Sequence, residues 1–162
     1  MQLYRLIYSG HANPTFSYQD LKEITVISEK NNVSDGLTGI LCYGDNMFLQ
    51  ILEGNRQTVC KTYHRMVADD RHHTPTLIEC VPIESRLFGT WSMQMVRLID
   101  FNPEVTRRLI LQYSDSTAFQ PHLMTPHQSL EFAKNIVKLQ RAKLAEKNDN
   151  SAQGNDQMAS VA

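Results

Sequence analysis

Residues 37–53, LTGILCYGDNMFLQILE, decide the fold because they read as two strands joined by a tight turn. The runs 37–43 and 47–53 are rich in apolar residues, and Gly44-Asp45-Asn46 between them is typical of a β-hairpin. Gln50 is an amide in the middle of the second run. A buried amide must find hydrogen-bond partners. Gln50 is therefore either a core residue satisfied by backbone or water, or a functional group. Both faces of its strand are apolar, so the pattern leaves open which face it occupies.

The flanking sequence extends this hairpin to an α+β domain. Further strands are predicted over 2–9, 76–83 and 90–98, and helices over 17–31 and 56–69. The order β-α-β-β-α-β-β begins with the ferredoxin-like plan, in which two helices pack on one face of an antiparallel sheet. The polar residue Ser17 followed by Asp20 is a capping signal that starts the first helix. The apolar side of this helix is expected to consist of Leu21, Ile24, Val26 and Ile27.

Two more helices are predicted after the last strand, and they are expected to cover the other face of the sheet. Asn102-Pro103 and Thr125-Pro126 are N-cap and first-turn signals, and the helices are expected to reach Tyr113 and Glu146. The predicted organisation is a domain over 1–98, a helical extension over 99–146 and a disordered tail over 147–162, where the residues are polar and small.

Composition narrows the class of protein. The chain has 162 residues, 41% of them apolar, and a net charge of −1, which gives no electrostatic reason to expect nucleic acid as a partner. Its three cysteines form no C-x-x-C pair, which favours a reducing compartment over a disulfide framework. The N-terminus does not resemble a signal peptide, and no apolar run approaches ~18 residues. These features predict a soluble cytoplasmic protein with no membrane span.

Several residues have both a structural and a functional interpretation. Tyr8 ends the first strand, where a tyrosine usually packs with its hydroxyl bonded at the edge. Trp91 and Met93 are predicted to alternate on one face of the last strand, where core packing explains them. Arg65 and Asp69, at i and i+4 on the second helix, are expected to form a surface ion pair.

A second set of side chains suggests a metal site. Cys60 and His64 are four residues apart on the second helix, which is the spacing of a helical metal pair. His72 and His73 follow the same helix. The set matches no standard zinc spacing, so a solvated helix end is the better interpretation.

Taken together, several segments resemble the BLUF (blue light using FAD) family, over roughly residues 1–98. The segments that carry the resemblance are LYRLIYSG around Tyr8, NNVSDGLTGIL around Asn32, FLQILEG around Gln50, ADDRHH around Asp69, Arg71 and His72, and WSMQ around Trp91 and Met93. They agree with the family in order and spacing. The short length and the later helices resemble the stand-alone BLUF proteins of the PixD type.

The resemblance implies that FAD binds with its isoalloxazine ring between the first two helices. Ile24 and Met66 would sandwich the ring, and Asn31 and Asn32 would lie at its polar edge. The remaining cofactor-binding residues implied by the resemblance are Gln50, Arg65, Asp69, Arg71 and His72.

The resemblance also implies a mechanism. Light would drive electron and proton loss from Tyr8, with Gln50 relaying the proton and then rotating or tautomerising, so that the flavin absorbs slightly further to the red. Met93 and Trp91 would exchange places near Gln50 and move the last strand. No substrate would be turned over, because the residues after the domain are too few for an enzymatic output domain. The signal would pass through self-assembly and a response-regulator-like protein partner.

Three alternatives remain at this point. One is a non-photochemical ferredoxin-like binding protein, with Cys60, His64, His72 and His73 as metal ligands. Another is an acylphosphatase-like enzyme, which lacks support because the loop after the first strand, Ser9 to Asn13, contains no arginine. The last is a LOV-type photoreceptor, which is disfavoured because Cys42 lies inside a predicted strand.

Overall fold

The computed structural model describes residues 2–159, with side chains as far as Ala152. Its regular elements are β1 (Leu3–Ala12), α1 (Tyr18–Asp35), β2 (Thr38–Gly44), β3 (Met47–Asn55), α2 (Arg56–Val67), β4 (His72–Ile83), β5 (Gln94–Arg97), α3 (Pro103–Tyr113) and α4 (Pro126–Ala159). Short 3₁₀ turns lie at Leu98–Asp100 and Pro121–Leu123. The predicted α+β class and element order are confirmed.

The strands form one sheet in the order β4-β1-β3-β2-β5. The pairs β4–β1, β1–β3 and β3–β2 are antiparallel, as predicted, whereas β5 is parallel to β2. This parallel pair is made by the seventh element, which follows the six that match the ferredoxin-like plan. The chain leaves β4 on one edge and crosses to the opposite edge through residues 84–93 before β5 runs back. Since β2 also runs opposite to β4, β5 and β2 point the same way.

Local signals account for the main turns. The Ser17 hydroxyl accepts from the backbone N–H of Asp20, and the Asp20 carboxylate accepts from the backbone N–H of Ser17, which closes a capping box at the start of α1. Asp45 and Asn46 have φ of 49° and 58°, the left-handed pair of a two-residue hairpin turn. The predicted β2–β3 hairpin is thus confirmed, and its turn matches the right-handed twist of the strands.

Alternation along β3 builds two cores on opposite faces of the sheet. Leu49 and Ile51 face α3 and α4, whose contribution to that core includes Phe132 and Ile136. Phe48 and Leu52 face α1 and α2. The predicted arrangement, with two helices on each face, is therefore confirmed.

The last strand is shorter than predicted. Only Gln94–Arg97 pairs with β2, so Trp91 and Met93 lie in the segment before the strand. Trp91 packs against the core under α3 and α4, whereas Met93 belongs to the core under α1 and α2. The prediction that they share one strand face is wrong, because the segment crosses the edge of the sheet between them.

The first helix departs from its predicted length and apolar face. It continues to Asp35 and ends at Gly36, whose φ of 65° suits a left-handed C-cap. Val26 and Ile27 were expected on the buried side but are mostly exposed, whereas Leu21 is buried. Contact of α1 with the sheet is therefore confined to a narrow stripe, and a space remains between α1 and α2.

The C-terminal helices begin at the predicted signals. Asn102 caps α3 through its side chain, and Pro103 occupies the first turn. However, α4 does not end near Glu146. It continues through the stretch expected to be disordered as far as Ala159, and residues 160–162 lie outside the described residues. In the described part of the chain, no helix has the length and apolar character needed to cross a membrane.

Candidate functional site

A cavity of about 250 Å³ lies between α1 and α2, above the sheet. Its walls are formed by Tyr8, Ile24, Ile27, Ser28, Asn31, Asn32, Leu41, Phe48, Gln50, Thr62, Arg65, Met66, Asp69, Arg71 and His72. All nine residues expected to bind the cofactor are in this set. These nine side chains come from α1, β3, α2, β4 and the connection between α2 and β4, and the fold places them around one cavity.

The floor of the cavity holds a tyrosine–glutamine pair. Tyr8 and Gln50 are direct partners in the antiparallel β1–β3 register, so their side chains emerge side by side on the same face. The Tyr8 hydroxyl donates to Gln50 Oε1 at 3.1 Å. Both side chains are buried, with 4% and 3% of their surface exposed. Burial raises the pKa of the Tyr8 phenol, and the charge of Asp69 adds to this.

The other end of the Gln50 amide has a weak partner. Gln50 Nε2 lies 3.8 Å from Met93 Sδ, and thioether sulfur is a poor acceptor. The Tyr8 hydroxyl has a similarly long contact with Met66 Sδ, at 3.8 Å. The amide oxygen thus accepts a hydrogen bond from Tyr8, whereas the amide nitrogen faces a thioether sulfur.

On the α1 wall, Asn32 is almost completely buried. Its Nδ2 donates to the backbone carbonyl of Ser92 at 2.7 Å. A side-chain amide has a second N–H and a carbonyl oxygen beyond that bond, so Asn32 can serve a ligand while it holds the segment before β5. Asn31 precedes it on the cavity wall. Because α1 continues to Asp35, both asparagines are inside the helix rather than at its end.

The opposite wall carries charged groups, paired differently from the prediction. Arg65 reaches Asp35 on α1, with Nη2 to Oδ2 at 3.8 Å, and does not pair with Asp69. Asp69 instead accepts from the Nε and Nη2 of Arg71, at 2.9 Å and 2.6 Å to its nearest oxygens. This side-chain hydrogen bond from Arg71 is the main reason that the pKa of Asp69 is lowered. The expected i,i+4 pair fails because α2 ends at Val67, so Asp69 is outside the helix.

His72 supplies an unsatisfied polar atom in the cavity wall. Its Nε2 is buried and has no hydrogen-bond partner, and such atoms usually mark a missing water or ligand. Burial lowers the pKa of His72 despite the nearby Asp69. FAD combines a flat apolar ring with polar edges and a phosphate chain. The slot between Ile24 and Met66, the Asn32 amide and this orphaned nitrogen suit such a molecule.

Some wall residues were not anticipated from the sequence. Leu41 on β2 and Phe48 on β3 lie on the same face of the sheet as Gln50. The alternation of side chains along the two strands is the sequence signal that could have identified them. Ile27 and Ser28 follow Ile24 by three and four residues on α1, one helical turn away. Thr62 is a buried polar residue on α2. Trp91 and Met93 are not wall residues, although Met93 contacts Gln50 on the same face of the sheet as the cavity.

The structure also bears on the alternatives. Among the residues it describes, no group of three or more histidine, cysteine or acidic side chains is placed to hold a metal ion. Cys42 is buried in the core on the face opposite the cavity, which removes support for a cysteine adduct with a flavin in that cavity.

Comparison with known families gives a match to a light-sensing family. The family model described as "BLUF: Sensors of blue-light using FAD" matches residues 3–94, more than half of the chain. Among curated proteins, the blue light- and temperature-regulated antirepressor BluF of Escherichia coli is 29% identical over 93 residues, 57% of this chain and 23% of that protein. The photoactivated adenylate cyclase subunit alpha of Euglena gracilis is 34% identical over 89 residues, 55% of this chain and 9% of that protein. The chain thus spans less than a quarter of the length of these relatives.

Solved structures agree over a larger share of the chain. The photo-activated state of BlsA superposes with a TM-score of 0.74 and 27% identity, covering 83% of this chain and 94% of that one. The BlsA ground state gives a TM-score of 0.72 and 29% identity over 82% of this chain and 85% of that one. The BLUF protein BlrB, at 22% identity and a TM-score of 0.65, covers 84% of this chain and 95% of that one and supports the fold alone. With its cavity, its Tyr8–Gln50 pair and the family match over residues 3–94, the chain belongs to the BLUF family of sensors of blue light that use FAD.

Proposed function

We propose that this chain senses blue light through the Tyr8–Gln50 pair, which turns light absorption into a change of hydrogen bonds at the cavity floor. The observation that carries the proposal is the buried 3.1 Å bond from the Tyr8 hydroxyl to Gln50 Oε1. A phenol can lose an electron and a proton together, and an amide can accept at one end and donate at the other. These two residue types side by side can therefore form a proton relay.

In this proposal the cavity residues hold FAD by shape and by polar contacts. Ile24 on α1 and Met66 on α2 would hold the ring between them, and Asn31 and Asn32 would meet its polar edge. Arg65, Arg71 and His72 line the same cavity and can donate to phosphate and ribityl oxygens. Asp69 is an acceptor, and it holds the guanidinium of Arg71. Bound FAD absorbs blue light and supplies an oxidant strong enough to draw an electron from a phenol.

Tyr8 then releases its proton along the hydrogen bond that its hydroxyl already donates to Gln50. Gln50 Oε1 is the acceptor at 3.1 Å, and the raised pKa of Tyr8 means that the phenol keeps its proton in the dark. When the electron and the proton have both returned to Tyr8, Gln50 settles with its amide rotated or tautomerised. The Gln50 N–H then no longer faces the sulfur of Met93, so the contact between Gln50 and the segment before β5 changes.

The output in this proposal is a change in protein contacts and not turnover of a substrate. Self-association and a response-regulator-like protein are the proposed partners, and a cytoplasmic location remains a prediction. The arrangement of α3 and α4 against the sheet face opposite the cavity supports a contact-based output, since these helices can report a change in the sheet to a partner.

An absorption spectrum before and after a blue flash tests the proposal. The FAD-loaded protein is expected to show a small red shift that reverts in the dark. Tyr8→Phe removes the donor, and Gln50→Leu removes the relay at roughly constant volume. Both are expected to retain FAD and to lose the shift.

Tyr63→Phe is the matched control. The Tyr63 ring lies 5.6 Å from that of Tyr8, centroid to centroid, yet its hydroxyl takes no part in the bond to Gln50, so this variant should keep the shift. A Tyr8→Phe protein with an unaltered photocycle would refute the mechanism. A protein that remains colourless after supply of FAD would refute the function.

A further inference from the structure

The segment before β5 is held in place near its start, and the first residues of β5 bond to α4. Near its start, the carboxylate of Glu53 accepts from the backbone N–H groups of Leu87 and Phe88, at 3.1 Å and 2.9 Å. Phe88 is buried in the core under α3 and α4. Five residues after Phe88, Met93 contacts Gln50 on the other face of the sheet. A change at Gln50 therefore reaches a segment whose start is held in place.

The start of β5 and Trp91 just before it contact α4 through side chains, although they are more than 40 residues from that part of α4 in the sequence. Gln94 Nε2 donates to Gln140 Oε1, and Gln140 Nε2 donates to the backbone carbonyl of Met95 at 3.3 Å. The guanidinium carbon of Arg141 lies 4.6 Å from the centroid of the Trp91 ring, within the range of a cation–π contact. The residues on either side of Met93 thus meet one turn of α4 directly.

One atom in this contact indicates that a second arrangement is available. Gln94 Oε1 is buried and has no hydrogen-bond partner, which is rare in folded proteins. The Gln140 amide now donates to the Met95 carbonyl, and after rotation its N–H can reach the Gln94 side of the contact. Two amides with two alternative pairings form a small two-state element of the kind that can pass a change between sites.

We propose that Gln94, Gln140 and Arg141 form the contact through which a change beside Gln50 is passed to α4. This inference rests on the proposed function, because it needs the light-driven change at Gln50 as its input. It places the output on the side of α4 that faces Trp91 and Met95, rather than on the chain connection from β5 into α3.

Hydrogen–deuterium exchange of the FAD-loaded full chain, in the dark and under continuous blue light, tests the inference. Peptides covering α4 from residue 126 to 152 are followed by mass spectrometry, and the flash-induced absorption shift is recorded on the same samples. The variants are Gln140→Leu, which removes both amide bonds, and Arg141→Gln, an exposed position where folding is not at stake. Lys138→Gln on the exposed part of the same helix is the control.

Wild type and Lys138→Gln are expected to show a light–dark difference in α4 exchange. Gln140→Leu is expected to keep the absorption shift but to lose at least half of that difference, and Arg141→Gln to lose part of it. If both variants keep the full difference, or if α4 in wild type exchanges identically in light and dark despite a normal shift, the inference is wrong. A wild-type protein without any absorption shift would instead refute the proposed function on which the inference depends.

Discussion

Glu53→Gln is predicted to be one of the most destabilising single changes in this chain. The Glu53 side chain is fully buried and pairs with Arg5, with Oε1 2.9 Å from the Nε of the arginine. The same carboxylate accepts from the backbone N–H groups of Leu87 and Phe88. A glutamine in its place presents an N–H group where an acceptor is needed and leaves the nearly buried Arg5 charge without its partner.

The expected loss can be estimated from these contacts. Removing one partner of a buried ion pair costs roughly 3–5 kcal/mol, and an orphaned backbone N–H costs about 1–3 kcal/mol. These costs overlap, so we expect a loss of about 4 kcal/mol in the free energy of unfolding. With a urea slope of about 2 kcal/mol/M, the unfolding midpoint should fall by about 2 M.

Urea unfolding followed by circular dichroism, at the same saturating FAD concentration for both proteins, measures this loss. Equal FAD is essential because a ligand that binds the folded state raises apparent stability. Glu104→Gln is the matched control, since Glu104 forms only exposed ion pairs with Arg107 and Arg108, and its midpoint should not move measurably. A Glu53→Gln midpoint within about 0.5 M of wild type, at an unchanged slope, would show that the carboxylate is not the anchor described above.

Further predictions concern the backbone and pH. Gly39→Ala should destabilise the protein by roughly 2–3 kcal/mol, because the added Cβ would lie 2.1 Å from the carbonyl oxygen of Ile51; a loss below about 1 kcal/mol in urea unfolding would contradict this. Gly36→Ala meets no atom but has a φ of 65°, so it should cost only about 1 kcal/mol, and an equal loss in both variants would contradict the steric argument. The lowered pKa of His72, due first to burial, predicts a stability contribution that is present above the ordinary value of 6.5 and lost as pH falls through the folded value. As pH is lowered from 7.5 to 5.5, the thermal unfolding midpoint of the FAD-free protein should therefore fall more steeply for wild type than for His72→Gln. Midpoints that fall in parallel would rule this out.

Features that depend on neighbouring residues were predicted well. The Asp45-Asn46 turn and the Ser17 cap need only a few adjacent residues to form, so their chemistry is visible in the sequence. The Asn102-Pro103 signal placed the start of α3 correctly for the same reason. Element order and alternation then led to the correct α+β class, because strands with two apolar faces need a helical layer on each side.

Predictions that depended on a distant partner were less successful. Arg65 and Asp69 had the spacing of a helical ion pair. Because α2 ends at Val67, Asp69 lies outside the helix and forms its ion pair with Arg71 instead. Val26 and Ile27 suited a buried helix face, yet α1 touches the sheet only along a narrow stripe beside the cavity. Neither outcome can be read from spacing, because each depends on where another element ends or how closely it packs.

The candidate site divides in the same way. The residue types at Tyr8 and Gln50, and the resemblance they helped to carry, came from the sequence, which thereby determined the family and the cofactor. Only the tertiary structure decided that β1 and β3 pair in the register that sets these two side chains 3.1 Å apart. It also decided that the segment after Phe88 crosses the sheet edge, so that Met93 meets Gln50 while Trp91 meets α4. The physical reason is that side-chain identity is a local property, whereas which side chains meet depends on strand register and on contacts between residues more than forty positions apart.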